Sequence, residues 1–113
     1  MTINEYQKEA MRSVNLESLN DRAKGLSNTG LGITGEAGEV ADLIKKHLHH
    51  GHELDKEHLA KELGDVAWYL ALGATVIGYE LEDILQMNVN KLRKRYPDGF
   101  DAQKSQHREK GDE

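Results

Sequence analysis

The sequence predicts an all-α fold, and three observations lead to that prediction. The chain contains a single proline, Pro97, and few runs of β-branched residues. No segment shows the alternation of apolar and polar residues that is typical of a half-buried strand. Apolar residues instead recur at three- and four-residue spacing in successive segments, which indicates a four-helix-bundle-like protomer.

The first helix is predicted to start at Thr2, because Thr2 and Glu5 have the spacing of a capping box. Its apolar positions follow the helical period and comprise Ile3, Tyr6, Ala10 and Val14. The next segment, residues 15–29, is compatible with a short helix or with packing under a loop. Its glycine, serine and asparagine residues weaken a helix there.

The second helix is predicted over residues 31–49 and ends at Gly51. Asp55 is predicted to cap a third helix that continues to residue 77. Residues 66–77 of that helix are apolar on almost every side, and such a surface must be covered. A chain of 113 residues has little left to cover it, so a homodimer or homotetramer is expected.

The fourth helix is predicted over residues 80–96 and ends where Pro97 breaks the pattern. Its predicted core face comprises Leu81, Ile84, Leu85, Leu92 and Tyr96. A polar row of Asn88, Lys91 and Arg95 lies beside that face, and two cations one turn apart suit phosphate binding. Residues 1–100 are therefore predicted to form one domain, followed by a polar, mobile tail over residues 101–113.

Composition excludes several classes of function. The net charge of −5, from 20 acidic and 15 basic residues, argues against binding to a nucleic-acid polymer. The chain has no cysteine, which excludes disulfides and thiolate zinc sites. Residues 1–9 are polar and no apolar stretch is long enough to span a membrane, so we expect a cytoplasmic protein without a signal peptide.

Two acidic pairs point to a metal site. Glu36 with Glu39, and Glu62 with Asp65, are each spaced i, i+3, which places both carboxylates on one side of a helix. Two such helices packed antiparallel would bring four carboxylates together, and their repulsion would be relieved by a divalent cation. Ligands that are all oxygen favour Mg²⁺, with Mn²⁺ as an alternative.

Glycines accompany these pairs. Gly38 and Gly64 lie inside predicted helices, where each costs about 1 kcal/mol relative to alanine, so they are expected to permit close helix approach or to leave room for a ligand. Residues 30–35 fit the G-x-G-x-x-G pattern of dinucleotide-binding folds. No strand precedes them and Glu36 follows at once, so we reject that interpretation and expect a tight turn leading into the second helix.

Two other groups of residues have an ordinary structural explanation. Histidines 47, 49, 50 and 52 cluster at a helix end without a carboxylate or cysteine at zinc-ligand spacing, and a solvated connection is the favoured interpretation. Trp68 and Tyr69 could stack on a base, but a place in the core is favoured.

The combined pattern resembles the MazG-like nucleotide pyrophosphohydrolases of the all-α NTP pyrophosphatase superfamily. The resemblance covers roughly residues 3–100 and rests on Glu36, Glu39, Glu62 and Asp65, followed by the motif Asn88-x-x-Lys91-Leu92-x-x-Arg95-Tyr96-Pro97-x-Gly99-Phe100. It implies a helical protomer that forms a dimer or tetramer. It also implies Mg²⁺-dependent cleavage of a nucleoside triphosphate, ribo or deoxy, to the monophosphate and pyrophosphate, often to clear unwanted nucleotides.

The resemblance and general chemistry together suggest a role for each residue. Glu36, Glu39, Glu62 and Asp65 would hold the metal, and Glu39, or alternatively Glu36, would take the proton of the attacking water. Lys91 and Arg95 would neutralise phosphate charge, and Asn88 would contact a phosphate or the sugar. The rival hypotheses are a helical module that binds nucleotide or protein without catalysis, and a histidine-rich metal-storage or sensor module.

Overall fold

The computed structural model of the protein describes residues 1–112, and these contain helices but no strand. The helices are α1 (Ile3–Met11), α2 (Leu16–Asn20), α3 (Arg22–His49), α4 (Lys56–Val76), α5 (Leu81–Arg95) and α6 (Ala102–Gln106). The predicted all-α class is confirmed. None of the described helices is long and apolar enough to cross a lipid bilayer.

The chain divides into two compact units. The first unit comprises Met1–Leu81 and therefore contains α1 to α4, and the second begins at Glu82 and contains nearly all of α5 together with α6. Helix α6 was not predicted from the sequence, and its first turn is capped by the side chain of Asp101. The domain boundary predicted at residue 100 and the mobility of the tail stay predictions.

Helix α1 begins with the predicted capping box. The hydroxyl of Thr2 accepts the backbone N–H of Glu5 at 3.1 Å, and the Glu5 carboxylate accepts the N–H of Thr2 at 3.2 Å. The Gln7 side chain joins α1 to the end of α4 and to Leu81, because its amide donates to the Thr75 hydroxyl at 3.0 Å and its oxygen accepts the N–H of Leu81 at 2.7 Å.

Helix α3 differs from its prediction. It is one helix of 28 residues that begins at Arg22, after the N-cap Asp21, rather than at residue 31. The glycines of residues 30–35 are therefore helical, and the expected turn before the helix was wrong. A helix that contains several glycines loses about 1 kcal/mol at each relative to alanine, and packing against α4 offsets part of that cost.

Helices α3 and α4 pack antiparallel, and glycines bring them close. A Cβ atom on Gly25 would lie 2.8 Å from Val76 Cγ2, and one on Gly32 would collide with the ring of Tyr69. These contacts pair increasing positions in α3 with decreasing positions in α4, so Glu36 comes opposite the first half of α4. Gly38 and Gly64 face open space, so they do not serve close helix approach.

The core of the described residues is small. The buried apolar side chains are Ala10, Ala71, Leu72, Ala74 and Leu81, and Leu72 is the large one that is fully buried. The core face predicted for α5 is buried only in part, since Leu81 is buried whereas Leu85 and Leu92 remain about two-fifths exposed. The apolar second half of α4 is likewise only partly covered, and Leu70 and Ile77 are exposed.

Candidate metal centre and active site

The site is formed where α3 faces the first half of α4. Glu36 comes from α3, and Glu62 and Asp65 come from adjacent turns of α4. Each of the three offers a carboxylate oxygen, and these oxygens all lie within 4.8 Å of one another. Glu36 and Glu62 are partly buried and Asp65 is exposed, so the group sits at the surface of the first unit and is open to a ligand.

The electrostatics of this group favour a cation. Desolvation raises the pKa of Glu36 above its ordinary value, and a hydrogen bond with the Glu62 carboxyl and the charge of Asp65 raise that pKa further. The direction of this shift means that ionisation of Glu36 is disfavoured by the two negative charges beside it. A divalent cation would relieve that repulsion, and a donor set made only of carboxylate oxygens fits a hard ion such as Mg²⁺ or Mn²⁺.

Glu39, the fourth member of the predicted quartet, lies outside the group of three. Its side chain is exposed on α3, one turn beyond Glu36. Its negative charge nevertheless contributes to the raised pKa of Glu36, after the larger effects of desolvation, Glu62 and Asp65. Glu39 is therefore close enough to affect the electrostatics of the centre, although its carboxylate does not join the other three.

A histidine that sequence reasoning did not single out touches the centre. His58 Nε2 lies 3.2 Å from Glu62 Oε1, four residues along the same helix. The Glu62 side chain is only 16% exposed, so this contact accounts for part of its limited surface. The i, i+4 spacing of His58 and Glu62 could have predicted this contact, because residues at that spacing are neighbours on a helix. Four other histidines nearby in the sequence made the pair hard to recognise.

An aromatic pair adjoins the carboxylates. Trp68 and Tyr69 line a pocket together with Glu36 and Asp65, and their rings pack edge to face with centroids 4.9 Å apart. The indole N–H of Trp68 donates to the Ala10 carbonyl at 3.0 Å and to the Ser13 hydroxyl at 3.1 Å. Trp68 thus ties α4 to the end of α1, but neither ring belongs to the buried core that was favoured for it, and the pair forms one wall of the site.

The predicted phosphate-binding row lies in the second unit. Asn88 and Lys91 are exposed on α5, whereas Arg95 forms a bidentate pair with Asp112 through N–O distances of 2.8 and 2.7 Å. Both side chains of that pair are less than 10% exposed. The hydrogen bonds from Arg95 lower the pKa of Asp112, and the positive charges of Arg108 and Lys91 lower it further.

The clustered histidines form no comparable metal group among residues 1–112. His47 Nδ1 lies 2.8 Å from the backbone oxygen of His52, which joins the end of α3 to the following loop. The one convergent set of three or more potential ligands found in the described part of the chain is the carboxylate group. The interpretation of the histidine cluster as a polar connection stays a prediction.

Comparison with known proteins places these features in a family. Residues 24–100 match the MazG nucleotide pyrophosphohydrolase domain, a span that contains all three carboxylates and the polar row of α5. A curated relative, the Gene 37 protein of Mycobacterium phage L5, is 39% identical over 79 residues, which cover 66% of this chain and 69% of the relative. No solved structure matches the chain significantly. The protein therefore belongs to the MazG family of nucleotide pyrophosphohydrolases.

Proposed function

We propose that the protein is a Mg²⁺-dependent nucleoside triphosphate pyrophosphohydrolase. Water would be added across the bond between the α- and β-phosphates, giving a nucleoside or deoxynucleoside monophosphate and pyrophosphate. The observation that carries this proposal is the convergence of Glu36, Glu62 and Asp65 within 4.8 Å in a chain of this family. The biological role proposed with it is the removal of unwanted nucleotides from the cellular pool.

In this proposal Glu36, Glu62 and Asp65 hold the cation from two helices. A bound divalent cation would neutralise phosphate charge and lower the pKa of a water ligand. The antiparallel contact of α3 and α4 keeps the three carboxylates in place before substrate arrives, and such preorganisation lowers the cost of binding. Trp68 and Tyr69 form one wall of the pocket beside Glu36 and Asp65.

Glu39 is assigned as the residue that accepts the proton of the attacking water. Its carboxylate lies outside the convergent group, so it need not give its oxygens to the cation. It is also close enough to Glu36 to affect the pKa of that residue. Glu39→Gln should then abolish turnover while Mn²⁺ affinity is retained, whereas Glu36→Gln should weaken both turnover and Mn²⁺ affinity. Equal loss of Mn²⁺ affinity in the two variants would reject this division of roles.

Asn88, Lys91 and Arg95 are proposed to bind the phosphates and sugar of the nucleotide. Arg95 presents the planar donor pair that suits a phosphate, and Asp112 occupies that donor pair with a carboxylate. Nucleotide binding through Arg95 would therefore have to compete with Asp112. Asp112→Asn should lower KM for the triphosphate, while Arg95→Ala should raise it.

A homodimer or homotetramer is proposed as the functional assembly. Leu63 and Leu70 on α4 and Ile77 at its C-cap recur every seven residues and are about half exposed, while the core of the described residues holds one large, fully buried side chain. A second copy that covers this stripe would supply the missing apolar burial. Sedimentation equilibrium should show an oligomer that Leu70→Lys shifts toward monomer, and a monomeric wild type would reject the proposal.

The decisive experiment is pyrophosphate release from a panel of ribo- and deoxynucleoside triphosphates, with Mg²⁺ and with EDTA. Glu62→Gln should abolish Mg²⁺-dependent release, and Glu57→Gln is the matched control because Glu57 is on the same helix, exposed and paired with Lys61. No release from any nucleotide by folded, metal-bound wild type would favour a non-catalytic nucleotide-binding module. Retained activity in Glu62→Gln would reject the carboxylate group as the catalytic centre.

A further inference from the structure

His58 occupies a defined position at the start of α4. Its backbone N–H donates to the side chain of the N-cap Asp55 at 3.0 Å, which fixes the first turn of the helix. From that turn the imidazole reaches along the helix surface until Nε2 lies 3.2 Å from Glu62 Oε1. The ring is about half exposed and the carboxylate is largely covered, so the contact lies at the edge of the carboxylate group.

Glu62 lies between two other carboxyl groups of that cluster. It shares a hydrogen bond with the Glu36 carboxyl and lies beside Asp65 on its own helix. Repulsion among neighbouring carboxylates favours other rotamers of Glu62 that would carry its oxygens out toward solvent. A donor that holds one oxygen of Glu62 opposes that rotation and still leaves a second carboxylate oxygen for a cation.

We propose that His58 is a positioning residue that donates its Nε2–H to Glu62 Oε1 and holds that carboxylate ready for the divalent cation. The inference rests on the proposed function only in assigning a cation to the carboxylate group. Carboxylate ligands of metals are commonly held by such hydrogen bonds, and loss of an outer partner typically weakens metal affinity 10–100-fold. The role distinguishes His58 from the four histidines at the end of α3 and in the loop that follows it.

The test is Mn²⁺ affinity of the full chain, measured by electron paramagnetic resonance and calorimetry. His58→Ala should weaken Mn²⁺ binding by about 10-fold or more. His58→Gln should recover most of the affinity, because its side-chain amide can donate to the same carboxylate. His49→Ala is the control, since it removes an exposed imidazole from α3 and should leave the affinity unchanged.

A second readout follows the hydrogen bond itself. Long-range ¹H–¹⁵N spectra of the neutral imidazoles should show His58 as the Nε2–H tautomer, and Glu62→Gln should change that signature. Unchanged Mn²⁺ affinity in His58→Ala, a His58→Gln variant as weak as His58→Ala, or an Nδ1–H tautomer would each overturn the positioning role.

The outcomes separate this inference from the proposed function. Wild type that binds Mn²⁺ with the expected His58 dependence but releases no pyrophosphate would reject the enzyme activity and keep the role of His58. Pyrophosphate release together with a Mn²⁺ affinity that does not change in His58→Ala would keep the enzyme activity and reject the role of His58. A wild type that binds no Mn²⁺ would overturn both the metal assignment and the role of His58.

Discussion

Replacing Gly32 by alanine tests the contact that brings Glu36 to face α4. Alanine in a helix interior is worth about 0.5–1 kcal/mol over glycine, so helix propensity alone predicts a gain in stability. At Gly32, however, the new methyl group would collide with the ring of Tyr69. Gly30 is two residues away on the same helix, and a Cβ atom there meets nothing within 4 Å.

The magnitude follows from these two terms. Gly30→Ala should raise the free energy of unfolding by about 0.5–1 kcal/mol. Gly32→Ala receives the same gain but incurs an overpacking cost of about 1–3 kcal/mol, because Tyr69 is held between α3 and the Trp68 ring. We therefore expect Gly32→Ala to be about 1–3 kcal/mol less stable than Gly30→Ala, or roughly 4–8 °C in Tm for each kcal/mol.

The assay is urea unfolding of wild type and both variants at one protein concentration, since association contributes to apparent stability. Far-UV circular dichroism reports the helices. The fluorescence of Trp68, the single tryptophan, reports the aromatic pair and should change in Gly32→Ala but not in Gly30→Ala. Equal stabilisation by the two substitutions, with unchanged fluorescence, would show that α3 and α4 do not meet at Gly32 and would refute the packing that assembles the site.

The remaining predictions concern the core and the second unit. Leu72→Ala should lower the free energy of unfolding by about 2–5 kcal/mol in the same urea assay, because this side chain is fully buried, and a loss below about 1 kcal/mol would contradict that burial. Asp112→Asn should speed amide hydrogen exchange in α6 and the following residues at neutral pH, because it weakens the pair with Arg95; unchanged exchange would contradict a stabilising pair. The pKa of Asp112 is lowered in the folded chain, so its contribution to stability is present above its unfolded value of 3.8 and is lost as pH falls through the folded value. Amide signals of α6 should accordingly weaken in acid, and in Asp112→Asn they should lose that pH dependence, whereas identical acid profiles would contradict the linkage.

Local signals in the sequence predicted several parts of the fold correctly. The capping box of Thr2 and Glu5 and the N-cap Asp55 stand where the pattern placed them, because capping depends on residues three positions apart. The start of α3 was missed because glycines reduce helix propensity locally. Their compensation comes from Val76 and Tyr69, which are distant in sequence.

In the candidate site, too, local spacing predicted some features and tertiary packing decided others. The i, i+3 spacing of Glu62 and Asp65 predicted that they would meet a partner helix together, and they do converge with Glu36. It did not predict that Glu39 would lie outside the group. Residues i and i+3 differ by about 60° around the helix axis and about 4.5 Å along it, so the crossing of two helices decides whether one or both reach the partner.

What the sequence by itself determined about this protein is the helical class, most helix ends and the two acidic pairs, because each depends on chemistry within a few residues along the chain. Only the tertiary structure decided which carboxylates converge, that Tyr69 packs on Gly32, and that Arg95 is paired with Asp112. Those contacts join residues that are distant in sequence. Which residues pair depends on the register in which the helices pack and on how the chain folds back on itself, and no local sequence pattern encodes either.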